Sequence, residues 1–203
     1  DYQTDSEVLD LLHCMSNPDH IASIRSTISN KTFPASHYSP YSSKTDAGTA
    51  QISILAPNGD AVSLTTSLNS GYGSLVKGRT TGIIYNGSMN DFSRQGITNG
   101  LPASPNNYIV PGKRPQSSMS PIIAMDASGN VVLVQGSSGG AKIIAVSSMT
   151  ALQVLKLKKT IKEALDSPRI HHQLDPDVLF VEQGISEAVI EGFREKGHVC
   201  EKV

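Results

Sequence analysis

Cysteine is scarce in this chain, and so is net charge. Only two cysteines occur in 203 residues, Cys14 and Cys200 near opposite ends, which excludes a disulfide framework and the paired thiolate spacing of a zinc site. The formal net charge is -1, which gives no electrostatic reason to expect a nucleic acid or an anionic membrane as partner. We therefore expect two isolated thiols, no metal site and no nucleic-acid partner.

Long apolar runs are also missing. No stretch approaches the roughly 18 apolar residues of a membrane helix, and the start, Asp1 to Asp5, has neither a Met nor an apolar signal core. That start is typical of the middle of a longer chain. Hydrophobic residues make up 38% of the sequence, enough for a substantial core. Two short sequons, at Asn30 and Asn86, would matter only in a secreted protein.

Two helices and a long polar connection are predicted at the start of the chain. Thr4 to Glu7 has the form of a capping box, and apolar residues at helical spacing follow up to Met15. Asn17-Pro18 predicts a second helix, because proline is favoured at the first helical position. From Asn30 to Gly48 the sequence is polar and lacks a sustained period. Connections of this length tend to be functional or open to proteolysis.

The polar connection ends at Gly48, where an alternating strand begins with Thr49. Ile52 and Ile54 alternate with polar residues, and Asn58-Gly59 then indicates a hairpin turn into a second strand. A threonine at the start of a strand can act as a nucleophile if the preceding peptide bond is cut, because the freed α-amino group can serve the hydroxyl as its general base. An ordinary junction between a loop and a strand is the alternative interpretation.

Hydroxyl-rich and glycine-rich segments follow this strand. The second strand runs through Ser63 to Asn69, whose polar groups pair either with one another across strands or with a ligand. A second hairpin leads to Gly136 through Gly140, and a mostly apolar helix, expected to be buried, is predicted from Ala141 to about Leu157. Gly139 and Gly140 either expose N–H groups that bind an anion such as an oxyanion, or merely let the strand turn into the helix.

The end of the chain predicts two further helices. A short helix lies near Lys159 to Leu165. Ser186 caps a last helix, Ile185 is placed to pack on Ile190, and Gly197 ends the helix.

Six short motifs occur in an order that is specific for one enzyme family. They are Thr49-Ala50-Gln51, Ser63 to Asn69, Gly82 to Phe92, Pro111 to Pro121, Gly136 to Gly140 and Pro168 to Gln173. Together they resemble the small subunit of γ-glutamyltransferases (γ-glutamyl transpeptidases), and residues 1–48 are similar to the tail of that family's large subunit. The resemblance covers most of the chain.

The resemblance implies an α+β fold, the αββα sandwich of N-terminal-nucleophile hydrolases, made as a precursor that cuts itself. The cut would fall between Gly48 and Thr49, which divides the chain into a large-subunit tail with a processing loop (1–48) and a C-terminally truncated small catalytic subunit (49–203). Thr49 would attack the γ-glutamyl amide of glutathione or its conjugates, and pass the glutamyl group to water, an amino acid or a dipeptide. The implied partner is the large subunit of the same precursor, no cofactor is implied, and the implied location is extracellular or at the cell surface, through a membrane segment outside this chain.

The resemblance also assigns the catalytic groups. Thr49 matches the nucleophile, and Ser67 stands where a threonine hydroxyl usually supports it. The N–H groups of Gly139 and Gly140 match the oxyanion hole.

A second set of residues matches the substrate site. Asn69 stands where an asparagine holds the α-amino end of the substrate, and Asp91 matches the carboxylate that pairs with the same ammonium. Ser117 and Ser118 match the hydroxyls that bind the α-carboxylate.

Two positions of the substrate site depart from the family, which usually has Glu or Gln where Ser88 stands and Asp where Asn90 stands. Losing such a partner for an ammonium costs about 1 to 3 kcal/mol, so an acylase of the same fold with another substrate is one alternative. The family's carboxylate-clamping arginine belongs to the large subunit, most of which is missing here, and the chain stops at Val203, before the family's usual final strands. A second alternative is therefore an inactive light-chain-like fragment that acts by binding.

Overall fold

Helices and strands are mixed along the chain. The computed structural model describes residues 17–34, 48–94, 104–174 and 176–203. The helices are α1 (Pro18–Thr27), α2 (Lys142–Leu155), α3 (Ile161–Asp166) and α4 (Glu187–Glu195). The strands are β1 (Thr49–Leu55), β2 (Ala61–Ser67), β3 (Ile122–Met125), β4 (Val131–Gln135), β5 (Ile170–His171), β6 (Leu179–Val181) and β7 (Cys200–Lys202). The helix predicted from Thr4 to Met15 lies outside the described residues.

The second predicted helix and the first predicted hairpin are confirmed. Asn17 precedes α1, and its side chain accepts a hydrogen bond from the Asp19 N–H at 2.8 Å. β1 and β2 pair in antiparallel register, with Thr49 opposite Ser67. Because this hairpin brings the start of β1 beside the end of β2, it sets the position of the candidate nucleophile.

The two faces of the β1–β2 hairpin have opposite character. Alternation of side chains along a strand places one polar, mostly part-buried set on the first face, namely Thr49, Gln51, Ser63, Thr65 and Ser67. The Ser63 hydroxyl donates to the Gln135 carbonyl oxygen at 2.6 Å, so this polar face lies against β4. The opposite face, here called the outer face, carries side chains that are each 49 to 53% exposed: Ile52, Ile54, Val62 and Leu64.

Helix α2 buries a stripe that is mainly polar, and a hydrogen bond joins it to β4. The Gln135 side-chain amide donates to the Ser147 carbonyl oxygen at 2.7 Å, and the buried residues of α2 recur at helical spacing: Ile143, Ser147, Thr150 and Gln153. The expectation that the helix is buried around most of its circumference is wrong for the side that carries Ile144 and Leu152, each 54% exposed. An apolar composition does not determine which side of a helix meets a neighbouring element.

The C-terminal strands form a sheet of three strands. β5 pairs with β6 in antiparallel and β6 with β7 in parallel orientation, and α4 contributes to their core, which contains Leu179, Val181, Ile185, Ile190 and Phe193. Ile185, predicted to pack on Ile190, packs against the cluster that contains Ile190. None of the helices in the described segments has the length and apolar character needed to cross a membrane.

Candidate active site

The Thr49 hydroxyl lies at the start of β1, beside the end of β2. It donates to the Ser67 hydroxyl oxygen at 3.1 Å, in a part-buried position. The Ser67 oxygen also accepts the Asn69 N–H at 2.8 Å. The structure thus brings together the two hydroxyls that were predicted as nucleophile and support.

Gly48, the residue before the candidate nucleophile, is fixed in a conformation that favours glycine. Its φ is +106°, and a Cβ at this position would lie 3.1 Å from the Ser70 carbonyl oxygen. The Gly48 carbonyl oxygen accepts the Leu68 N–H at 3.1 Å, which continues the ladder one residue beyond β1. The Gly48–Thr49 peptide is therefore held at the ends of both strands, with a hydrogen-bond donor on its carbonyl oxygen.

Asn69 connects the end of β2 to the segment that contains Ser88. It is 6% exposed, and its φ of +69° is in the left-handed region that asparagine tolerates better than most residues. Its side-chain N–H donates to the Gly87 carbonyl oxygen at 2.9 Å, and no described residue donates to its Oδ1. Ser88 then opens a 3-10 turn in which the Asn90 N–H donates to Gly87 at 2.9 Å. Asn69 thus lies next to Ser88 and Asn90, the two positions that differ from the family pattern. Its Oδ1 is available to accept a hydrogen bond from a ligand.

A buried asparagine links Asp91 to the serine pair. Asn107 is 4% exposed; its side-chain N–H donates to the Asp91 carbonyl oxygen at 2.6 Å, and its Oδ1 accepts the Gln116 N–H at 2.9 Å. The residues that follow are Ser117, which is exposed, and Ser118, which is partly buried. The candidate partners of the substrate ammonium and of its carboxylate are therefore joined through one side chain.

The glycine pair lies between β4 and α2. Gly139 is exposed and has a φ of +124°, whereas Gly140 is buried and has a φ of +62°. Their carbonyl oxygens accept the N–H groups of Lys142 and Ile143 at 3.2 and 3.0 Å. Neither glycine N–H donates to another described residue, so both are available at the positive end of α2. This geometry suits an oxyanion, as the resemblance implies.

Sequence reasoning misses Asn107. Its side-chain partners, Asp91, Ser93 and Gln116, are 16, 14 and 9 residues away, so neither the period of a strand nor that of a helix connects them. It occurs in the short turn Pro105–Asn107, between two of the motifs and in neither of them.

The family comparison covers the whole chain. The model of the γ-glutamyltranspeptidase family matches residues 1–203. Scoloptoxin SSD20 of Scolopendra dehaani is 45% identical over 152 residues, which are 74% of this chain and 77% of that protein. Glutathione hydrolase proenzyme 1 of Schizosaccharomyces pombe is 39% identical over 184 residues, which are 89% of this chain but 29% of the proenzyme. The chain thus spans less than a third of the proenzyme's length.

The chain is also similar to a solved structure of a γ-glutamyltranspeptidase. A mutant of the γ-glutamyltranspeptidase of Helicobacter pylori matches with a TM-score of 0.70 and 33% sequence identity, over 75% of this chain and 84% of that one. The fold is therefore the N-terminal-nucleophile hydrolase fold of those enzymes, as the resemblance predicts. By family model, by sequence and by structure, this chain belongs to the γ-glutamyltranspeptidase family.

Proposed function

We propose that the protein is a γ-glutamyl transferase and hydrolase that acts on glutathione and its conjugates through Thr49, after cutting itself between Gly48 and Thr49. One observation carries the proposal: the Thr49 hydroxyl lies at a strand start, 3.1 Å from the Ser67 hydroxyl, directly after a glycine whose carbonyl oxygen is held by a backbone N–H. Family membership and the glutathione hydrolase relative support the choice of substrate.

Self-cleavage follows from the arrangement of Gly48 and Thr49. The Thr49 oxygen attacks the Gly48 carbonyl carbon, the C–N bond breaks, and the departing amine takes the proton of the hydroxyl. The ester that results is hydrolysed by water, which leaves a carboxylate on Gly48 and a free amine on Thr49. The Leu68 N–H, 3.1 Å from the Gly48 oxygen, is placed to stabilise the negative charge that develops there.

The cut converts Thr49 into a nucleophile with its own base. Its free α-amine, with a pKa of about 8 in ordinary peptides, accepts the hydroxyl proton as the oxygen attacks the γ-carbonyl of the substrate. The Gly139 and Gly140 N–H groups receive the oxyanion, and cysteinylglycine leaves with the transferred proton. Water, an amino acid or a dipeptide then takes the glutamyl group from the Thr49 ester.

Two polar groups are suited to the α-amino end of the substrate. The Asn69 Oδ1 is an available acceptor in a buried position, and Asp91 supplies a carboxylate at the end of the neighbouring turn. The α-carboxylate of the substrate would bind the hydroxyls of Ser117 and Ser118. These groups give the pocket a preference for a substrate that carries both charges of an amino acid.

Replacement of Thr49 tests the mechanism. In the full-length precursor, Thr49→Ala should leave the bond after Gly48 intact, as read by N-terminal sequencing and intact mass, and release no cysteinylglycine from glutathione. Thr49→Ser keeps a hydroxyl and should retain both reactions. Cleavage together with release of cysteinylglycine by the alanine variant would show that another residue is the nucleophile.

Ser88 and Asn90 favour a second candidate, an acylase of the same fold. Both side chains are neutral, whereas the implied family pattern has Glu or Gln in place of Ser88 and Asp in place of Asn90. The binding free energy of the substrate ammonium is therefore weaker by about 1 to 3 kcal/mol. Turnover of γ-glutamyl-p-nitroanilide should be compared with that of p-nitroanilides of uncharged acyl groups. Faster turnover of the uncharged substrates would favour the acylase, and a cleaved protein that turns over none of them would favour a binding role.

The outer face points to the rest of the precursor as partner. Ile52, Ile54, Val62 and Leu64 form a contiguous apolar surface on the nucleophile's own hairpin, and such surfaces mark interaction sites. The greater part of the proenzyme relative lies outside the matched region. Ile54→Lys should therefore reduce co-purification of the large subunit with the cleaved chain. Asn58→Lys adds the same charge at an exposed turn and should not.

An extracellular or cell-surface location is part of the proposal. Asn30 is exposed and opens a sequon, so a chain that passes through a eukaryotic secretory pathway should carry sugar there. N-glycosidase treatment of the native protein should increase its mobility on a gel, and Asn30→Gln should abolish the change. The same band with and without treatment would count against secretion through that pathway.

A further inference from the structure

Gln51 lies two residues beyond Thr49 on the same polar face of the hairpin. Its side-chain N–H donates to the Ser63 hydroxyl oxygen at 2.9 Å, and its Oε1 accepts the Thr65 hydroxyl. The same N–H group also contacts the Ile52 carbonyl oxygen at 3.0 Å. The amide of Gln51 is thereby fixed by both strands of the hairpin.

The same network reaches β4. The Ser63 hydroxyl, which accepts from Gln51, donates to the Gln135 carbonyl oxygen at 2.6 Å. Directly after Gln135, the backbone of Gly136 lies against the Gln51 amide, so that a Cβ on Gly136 would be 2.3 Å from the Gln51 Cδ. Gly139 and Gly140 follow three and four residues later.

This contact matters because no backbone ladder sets the distance between the two halves of the candidate site. The nucleophile begins β1 and the glycine turn follows β4, yet among the described strands β1 pairs with β2, and β4 with β3. Side chains between the two hairpins must therefore fix their separation, and Gln51 with Ser63 supplies hydrogen bonds at that interface.

We propose that Gln51 is a positioning residue that, through Ser63 and Gly136, holds the Thr49 hydroxyl at a fixed distance from the N–H groups of Gly139 and Gly140. This inference rests on the proposed function, because it assumes that Thr49 is the nucleophile. Misplacement by about 1 Å, caused by a change away from the reacting atoms, can lower a rate by about 100-fold. The groups assigned to the substrate, Asn69, Asp91 and the serine pair, have no described hydrogen bond to Gln51.

The test is the steady-state kinetics of the self-cleaved, full-length protein with γ-glutamyl-p-nitroanilide, with rates expressed per cleaved chain. Gln51→Met keeps the length of the side chain and removes the amide. We expect a kcat about 10- to 100-fold below that of the wild type with an unchanged KM, the pattern of an interaction that acts in the transition state. A wild-type kcat, or a loss confined to KM, would overturn the inference.

A double-mutant cycle separates positioning from general loosening. Ser63→Ala breaks the same connection at its other end, so it should also lower kcat, and Gln51→Met with Ser63→Ala should be no slower than Gln51→Met alone. If the fold-reductions in kcat of the two single variants multiply in the double variant, Gln51 and Ser63 act independently and the inference is refuted. Ser128→Ala removes a hydroxyl from the exposed turn between β3 and β4 and should leave kcat unchanged. If Gln51→Met does not fold, as judged by thermal unfolding, Ser63→Ala alone decides.

The Thr49→Ala variant distinguishes the two proposals. If it still turns over the substrate, the proposed function fails. If it is inactive while Gln51→Met has the wild-type kcat, the proposed function stands and the inference about Gln51 fails.

Discussion

Asn107 joins two segments of the candidate substrate site, so its removal should weaken both the fold and the site. Its amide makes two short, part-buried hydrogen bonds, to the Asp91 carbonyl oxygen at 2.6 Å and from the Gln116 N–H at 2.9 Å, besides a longer one to the Ser93 hydroxyl at 3.4 Å. Asn107→Ala deletes all of them. Asn107→Asp keeps the acceptor for Gln116 but sets a second oxygen against the Asp91 carbonyl.

The magnitude of the Asn107→Ala effect follows from those two bonds. Each contributes about 1 kcal/mol net, and a buried group left unpaired costs about 1 to 3 kcal/mol. We therefore expect the free energy of unfolding to fall by about 2 to 4 kcal/mol. The Asp91 and Ser117 segments also lose their common anchor, and each 1.4 kcal/mol of lost binding raises the dissociation constant about tenfold.

Urea unfolding and the KM for γ-glutamyl-p-nitroanilide measure the two effects. Asn106→Ala, on the exposed neighbour in the same turn, is the matched control and should change both quantities little. An Asn107→Ala protein with the unfolding midpoint and KM of the wild type would refute the view that this side chain organises the site. A lowered midpoint with an unchanged KM would restrict its role to the fold.

Two further changes test the surroundings of the site and the C-terminal elements. A Cβ on Gly73 would lie 2.2 Å from the Tyr85 carbonyl oxygen, so Gly73→Ala should lower the thermal midpoint clearly more than Gly71→Ala, where no atom lies within 4 Å; equal midpoints would contradict this. Burial lowers the pKa of His198, and the charge of His172 lowers it further. The unfolded chain then binds the proton more readily, so this contribution to stability is present above the unfolded pKa of about 6.5 and is lost as pH falls from that value through the lowered pKa of the folded state. His198→Gln should flatten the dependence of the thermal midpoint on pH in this window, and an unchanged slope would refute the assignment.

Local sequence patterns predict the hairpin that carries the nucleophile. Apolar and polar residues alternate on both sides of Asn58-Gly59, which predicts two antiparallel strands joined by a tight turn. This pairing alone brings Thr49 opposite Ser67. The contacts between elements were not predictable in this way. Gln51 and Ser63 are read from the sequence only as polar strand residues, because their partner, the carbonyl of Gln135, is 72 residues from Ser63.

Helix α2 illustrates the same limit. Its composition predicts burial on most sides, but its buried stripe includes Ser147 and Gln153, while Ile144 is exposed. The type of a residue sets the free energy of transferring its side chain out of water. Which side chains are actually buried depends on where the neighbouring element lies. Here the neighbouring elements are α3 and β5, and the Gln135 side chain of β4 adds a hydrogen bond to the Ser147 carbonyl oxygen.

The outer face of the β1–β2 hairpin sets a requirement for any relative of this chain that works alone. Its polar side is turned inward and its apolar side outward, the reverse of an ordinary solvent-facing sheet. A self-sufficient light chain would need charged or polar residues in place of Ile52, Ile54, Val62 and Leu64 to stay soluble and to avoid self-association. These four positions therefore give a simple criterion, readable from sequence, for separating subunits that depend on a partner from those that have become independent.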